Sequence, residues 1–201
     1  PGARCDIPSI EYSYSFSDEL QQEWQWSHKY STQPEILEYA NHVTDRFDLR
    51  DKIKFNEKVT SANYANDSNV WKLETNNGNI YESKYCVMAT GTLSSINKPK
   101  FEGIDVYKGD WYITGNWPHE NIDLSDKHVG IIGTGSSAVQ AIPVIAESAK
   151  TLTVFQRTAN YSVPANNHPL DPKEINEFKK NYSIFRAQQR QTKSGVALTN
   201  I

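Results

Sequence analysis

Residues 127–164 read KHVGIIGTGSSAVQAIPVIAESAKTLTVFQRTANYSVP: a strand, a glycine turn, a helix and a second strand, in that order. An apolar run (Val129, Ile131, Ile132) leads into Gly133-Thr134-Gly135. Ser136 and Ser137 then open an Ala/Val/Ile-rich segment whose helical periodicity runs to Ala149, and residues 151–155 follow as a second buried strand. In such a unit the first glycine makes a tight turn and the second lets the backbone approach a pyrophosphate. The helix N-terminus offers free N–H groups and the positive end of its dipole to that anion. Ala138 is the small residue at the third position of the pattern. A βαβ unit that binds no nucleotide is the plain alternative.

The end of the second strand selects the dinucleotide. An NAD site wants an acid about 20 residues beyond the glycines, to accept from the ribose 2′-OH. Gln156-Arg157-Thr158 stands there instead. A guanidinium grips a phosphate through a planar fork of donors, so Arg157 with Thr158 points to the 2′-phosphate of NADP. The alternative for Arg157 is an ordinary solvated charge.

Around this unit, 201 residues suffice for one large domain or two small ones with a real core. A net charge of −3 argues against a nucleic-acid or anionic-membrane partner. The sequence has no apolar run of about 18 residues and no signal peptide, which together imply a soluble, cytoplasmic chain. Cys5 and Cys86 lie far apart without CxxC or His pairing and read as reduced thiols. The histidines at 28, 42, 119, 128 and 168 lack ligand spacing, so no metal is expected. No nucleophile–base pair is visible either, which leaves the chemistry to a cofactor. Met88 is the sole Met, Pro1 stands first, and a nucleotide-binding sheet normally needs more strands than one βαβ unit supplies. The chain therefore reads as an internal fragment of a longer protein.

In chain order, residues 1–16 are turn-rich and then aromatic, and read as a loop. Residues 34–48 predict a helix with Ile36, Leu37, Ala40, Val43 and Phe47 on one face and Pro34 near its first turn. Residues 52–64, 70–75 and 80–89 predict three strands, the last two joined through Asn76-Asn77-Gly78. Within the third, residues 85–88 are apolar enough for a fully buried strand. It ends at Ala89-Thr90-Gly91, where small residues let a ligand sit against the backbone or simply end a strand. Residues 98–126 read as a connection. Asp171-Pro172 predict the cap of a helix whose Ile175, Phe178, Tyr182 and Phe185 form a core stripe, and residues 188–201 are polar and uninformative.

The segment PGARCD, the Ala-Thr-Gly strand end, a connection closing on Trp117-Pro118, and GTGSS followed by FQRTANYSVP together resemble the class B flavin-dependent monooxygenases, most closely the Baeyer–Villiger type. The resemblance runs from Pro1 to about Tyr182. It implies an α/β, Rossmann-like flavoprotein fragment with two dinucleotide domains and a β-meander in the FAD part. Residues 1–97 would belong to the FAD domain, 98–126 to an interdomain connection, and 127–201 to the start of an NADP domain with a helical insertion. It implies FAD and NADP as cofactors, and O₂ with a small ketone or sulfide as substrates. The activity would be ketone oxygenation through a flavin peroxide, with sulfur or nitrogen oxygenation, simple O₂ reduction, or a bare NADP-binding module as the rivals.

Residue by residue, the resemblance places Arg4, Cys5 and Asp6 beside the flavin ring. Asp6 is the catalytic candidate, holding the family's active-site arginine, though a turn-capping Asp would look the same. Tyr12 matches a flavin-side aromatic, Val59 a backbone contact to adenine, and Ala89, Thr90 and Gly91 the strand end. Gly133, Thr134, Gly135, Ser136, Ser137 and Gln140 match the NADP loop, and Arg157 and Thr158 the 2′-phosphate site. The resemblance also puts the family's FAD-binding glycine unit before Pro1 and its catalytic arginine beyond Ile201. The Baeyer–Villiger fingerprint FxGxxxHxxxWP stands here as YKGDWYITGNWP, with Tyr107 for Phe and Ile113 for His. The second change removes every donor and acceptor from that position.

Overall fold

The computed structural model describes residues 2–197; Pro1 and the end of the polar stretch 188–201 lie outside the described residues. The chain separates into two compact units, Thr44–Tyr107 and the remainder. Their edges differ from the expected segment boundaries at 97 and 126.

The smaller unit is an antiparallel meander of β1 (Val59–Ala65), β2 (Val70–Thr75) and β3 (Ile80–Ser83) in the order β1-β2-β3. Residues 71–74 of β2 pair on both sides, Leu73 for instance with Ala62 on one side and Tyr81 on the other. The Asn-Gly signal is used as expected, with Gly78 at φ +78° and its N–H on the Thr75 carbonyl. Beside this turn the Glu57 carboxylate accepts from Asn77 Nδ2 at 3.1 Å and Asn79 Nδ2 at 2.6 Å. The neighbouring Thr75 hydroxyl, followed by Asn77, holds Glu57 below the usual carboxylate range. Among the described residues neither the Thr75 hydroxyl nor Glu57 Oε2 makes a well-formed hydrogen bond, so the contact between them is a loose one.

Two strand expectations need correction. The first strand begins at Val59 and not at residue 52, because residues 50–52 form a 3₁₀ turn. The third stops at Ser83, and residues 85–88 are not a buried strand: Tyr85 is 84% exposed and Val87 88%. A buried strand needs neighbours on both edges and cover on both faces, and no strand among the described residues pairs with this run.

The larger unit holds the βαβ element and a helical layer. β4 (His128–Ile132) and β5 (Thr151–Phe155) pair in parallel, Gly130 opposite Thr153 and Ile132 opposite Phe155, and α4 (Ser136–Ser148) connects them. β5 is not buried as expected, since Phe155 is 56% exposed. Its apolar residues suit a sheet covered on both faces, and α4 packs on it.

The helical layer comprises α1 (Ser9–Tyr12), α2 (Asp18–Glu23), α3 (Gln33–Arg46, its residues up to Val43 in this unit), α5 (Pro172–Lys180) and α6 (Tyr182–Gln191). The expected loop over residues 1–16 therefore contains a helical turn, α1. Its stability is tertiary: Ile10 packs into a core with Ile175, Tyr182 and Phe185, as a four-residue helix has no stability alone. The predicted stripe on the last helix is that core. It is carried by two helices, because Asn181 breaks the run at φ −109°. Asp171 caps α5 through Lys173 N–H at 2.8 Å, with Pro172 at its first position. On α3 the buried residues are Tyr39 and Val43, whereas Leu37 is 53% exposed. The aromatic cluster of Trp24, Trp26 and Tyr39, with ring centroids 5.1 Å from Tyr39 to each Trp, decides the buried face.

Two long-range seams close this layer. Residues 3–9 run beside 28–33, joined by Cys5 N–H to Ser31 O, Gln33 N–H to Ala3 O, and the fully buried pair Ser9 and Ser31, whose hydroxyls bond at 2.9 Å. Residues 167–170 add a second seam, through Lys29 N–H to His168 O and Leu170 N–H to Ser27 O.

Candidate functional site

Gly133 ends β4 at φ +101°, a conformation L side chains rarely adopt, and its N–H donates to Phe155 O at 2.9 Å. The chain reverses through Thr134 to Gly135, which stands at the N-cap of α4 with no side-chain cap. The first N–H groups of α4 therefore keep no side-chain acceptor at that cap, which is the donor set an anionic phosphate takes. A Cβ placed on Gly133 or Gly135 would meet nothing within 4 Å, so the space against this backbone is open. Turn, helix end and open approach fit a dinucleotide pyrophosphate.

Past β5 the chain folds back over this turn. Gln156 Nε2 donates to Thr134 Oγ1 at 2.9 Å, and Asn160 Nδ2 donates to the Thr134 carbonyl at 2.9 Å. Arg157 and Thr158 lie between those two anchors and are exposed. No carboxylate pairs with Arg157 among the described residues. An exposed guanidinium on a loop tied to this turn has the donors that a 2′-phosphate takes. Ser136, Ser137 and Gln140 are exposed along the start of α4. The structure thus ties the loop that carries Arg157 and Thr158 to the glycine turn, and leaves Ser136, Ser137 and Gln140 exposed on the helix that follows. Gln156 and Asn160 escaped the sequence reading of the site; the only signal was their flanking position around Arg157.

The residues predicted for the flavin fall on both units. In the larger one, Arg4 bridges to Thr32 and donates from Nη1 to the Tyr30 carbonyl at 3.1 Å. Cys5 is buried at 6% exposure, and burial pushes its thiol pKa up, against bonds from Ser31 and Ser9 that lower it. Its thiol is a packed group that fixes the segment, while Asp6 next to it is exposed. Tyr12 closes α1 with its ring 47% exposed. In the meander unit Val59 pairs with Thr75 at the first rung. Ala89 N–H reaches back to Val87 O, Ser94 Oγ donates to Thr90 O, and Gly91 takes φ +74°. These small residues form an irregular, solvent-facing exit and not the end of a regular strand.

Ile113 is partly exposed at the head of a 3₁₀ turn, Thr114–Asn116, and its carbonyl accepts from Asn116 N–H at 2.8 Å. Among the described residues no group of three or more His, Cys, Asp or Glu could hold a metal, and no helix is long and apolar enough to cross a membrane.

A glycine turn between a parallel strand and a helix, with a basic residue past the next strand, defines a dinucleotide-binding α/β protein. The model of the pyridine nucleotide-disulphide oxidoreductase family matches residues 6–194. The chain belongs to that family. A Baeyer-Villiger monooxygenase from Pseudooceanicola batsensis is 50% identical over 182 residues, 90% of this chain and 33% of the relative. Phenazine N-monooxygenase PhzNO1 from Lysobacter antibioticus is 39% identical, covering 90% of this chain and 34% of its own. The solved structure of an oxidized steroid monooxygenase bound to NADP is 51% identical with a TM-score of 0.91, over 99% of this chain and 38% of that one. The chain spans about a third of the length of the curated relatives it matches. The resemblance to Baeyer–Villiger flavin monooxygenases is borne out, as are the α/β flavoprotein fold class and the pairing of FAD with NADP as family cofactors.

Proposed function

We propose that this chain is the part of an NADPH- and FAD-dependent monooxygenase that binds the nicotinamide dinucleotide and supplies segments of the flavin site. The observation that carries this reading is Arg157: exposed, without a carboxylate partner among the described residues, on a loop tied to an open glycine turn. When bound, reduced FAD supplies the oxygen-activating chemistry that places one atom of O₂ into a ketone. The chain's own residues bind and place. Gly133 makes the turn, and Gly135 leaves the backbone bare for the pyrophosphate. Thr134, the first N–H groups of α4 at Ser136 and Ser137, and the Gln140 amide supply donors, and Arg157 with Thr158 takes the 2′-phosphate.

Arg4, Asp6 and Tyr12 belong to one part of the flavin site, with Cys5 as their buried anchor, and Val59, Ala89, Thr90 and Gly91 to another. The exposed Asp6 carboxylate is the group to hold an arginine near the flavin. In this reading residues 1–97 serve FAD, 98–126 connect, and 127–201 begin the NADP domain. The setting is the cytoplasm, without nucleic-acid or membrane partner, which the net charge of −3 supports.

Losing one charge-assisted contact costs about 1.5–3 kcal/mol. In the full-length enzyme, Arg157→Ala should therefore raise the KM for NADPH about tenfold or more and leave that for NADH nearly unchanged. Equal loss for both sinks the assignment.

A second reading, nitrogen or sulfur oxygenation, is favoured by Ile113 at the fingerprint histidine position and by the N-oxygenating relative. Product analysis with a cyclic ketone and an aromatic N-heterocycle side by side separates the two: ester or lactone against N-oxide.

A further inference from the structure

Three ties cross from the end of β5 to the glycine turn. Gly133 N–H meets Phe155 O, Gln156 meets the Thr134 hydroxyl, and Asn160 meets the Thr134 carbonyl. The last two grip one residue, Thr134, by its side chain and by its backbone. Between them residues 157–159 form an exposed arch whose two ends are fixed to the same point. A long, flexible arginine loses rotamer freedom on gripping a ligand, and an unanchored loop adds its own ordering cost. Fixing the arch removes the loop's share in advance. The Gln156 bond also has a direction: the amide donates, so the Thr134 hydroxyl accepts and keeps its own proton for a ligand oxygen.

We propose that Gln156 and Asn160 are positioning residues that, by clamping Thr134, hold Arg157 where it discriminates a 2′-phosphorylated dinucleotide from its unphosphorylated counterpart. This rests on the assignment of Arg157 to the 2′-phosphate. Gln156 and Asn160 need not touch the ligand. Their effect passes through Thr134 and the placement of the arch, so it is confined to the part of the ligand that Arg157 reads.

The test measures dissociation constants for NADP⁺ and NAD⁺ by titration calorimetry on the full-length holoenzyme, with no turnover. Gln156→Ala should weaken NADP⁺ about three- to tenfold, the size of one lost neutral hydrogen bond, and leave NAD⁺ within about twofold. Asn160→Ala should do the same, and Asn160→Asp, which puts an acceptor against a carbonyl oxygen, should be at least as severe. Thr134→Val removes the acceptor of the Gln156 bond together with a donor to the dinucleotide, so it should weaken both ligands yet cost as much selectivity for NADP⁺ as Gln156→Ala; the double variant should lose no further selectivity, and Thr134→Ser should behave as wild type. Thermal melts within about 2 °C of wild type show which variants are folded, and the Asn160 and Thr134→Ser arms carry the test if Gln156→Ala is not.

Additive losses of selectivity in the double variant, equal losses for both dinucleotides in Gln156→Ala and Asn160→Ala, or unchanged selectivity in those two variants overturn the clamp. Arg157→Ala, run in parallel, separates the two ideas. If it abolishes selectivity while the clamp variants keep it, only the clamp fails. If it leaves selectivity intact, the 2′-phosphate assignment falls and the clamp with it.

Discussion

Arg186 on α6 is 5% exposed and spends its guanidinium on the N-terminal segment. It donates from Nε to Gln21 Oε1 at 2.8 Å, from Nη2 to the Ser13 carbonyl at 3.0 Å and more weakly to the Ile10 carbonyl at 3.4 Å, and from Nη1 to Gln189 Oε1 at 2.6 Å. Its plane also lies over the rings of Tyr182 and Phe185, at 5.2 and 5.5 Å. Burial lowers the guanidinium pKa, and the nearby charges of Tyr182, Tyr39 and Glu11 push it back up.

Arg186→Met keeps the stem's volume and removes the fork. The Ile10 and Ser13 carbonyls and the Gln21 and Gln189 amide oxygens then lose their donor, those of Ile10 and Gln21 in a buried setting. Leaving a buried acceptor unsatisfied costs about 1–3 kcal/mol, and partial relaxation brings the expected loss to about 2–4 kcal/mol in all. For a protein of this size that is about 5–15 °C in Tm. The assay is thermal unfolding followed by tryptophan emission, since Trp24 and Trp26 sit on Tyr39 in the same layer. Because these carbonyls flank the helical turn that ends in Tyr12, proteolysis of residues 9–16 should accelerate as well. A Tm within about 1 °C of wild type would refute the reasoning and show that the carbonyls find water readily.

Three further outcomes are expected. Burial pushes the Tyr182 pKa up to about 12, against a smaller opposing effect of the Arg186 charge. A phenol raised above its unfolded value contributes stability that is intact below about pH 10 and is lost as pH rises toward 12, about 1.4 kcal/mol of it by pH 11. Tyr182→Phe should flatten the fall of Tm between pH 9 and 11, and an unchanged slope refutes it. Gly133→Ala, at φ +101° in open space, should cost about 1–2 kcal/mol from backbone strain and not from crowding; a melt within error of wild type contradicts this. In the full-length enzyme, Ile113→His restores a donor and acceptor to the fingerprint position and should raise the ratio of ester formed to NADPH consumed while lowering H₂O₂. No change in any of the three shows that position 113 only packs.

Much of this protein is written in short-range pattern. The Gly-Thr-Gly turn between strand and helix, the Asn77-Gly78 hairpin, the Asp171-Pro172 cap and the stripe at Ile175, Tyr182 and Phe185 were all legible, because each depends on residues within a few positions of one another. Tertiary structure decided the rest. α1 exists because Ile10 has a core to enter, and α3 turns Tyr39 inward because two tryptophans from another segment wait there. Residues 85–88 carry the composition of a buried strand yet lie exposed, since strand formation requires a partner that composition cannot supply. Gln156 and Asn160 look like loop polarity until the fold brings them across more than 20 residues to Thr134. A hydrogen bond between distant residues leaves no periodicity in either stretch of chain, and only the closure of the strand pair β4 and β5 sets its ends within reach.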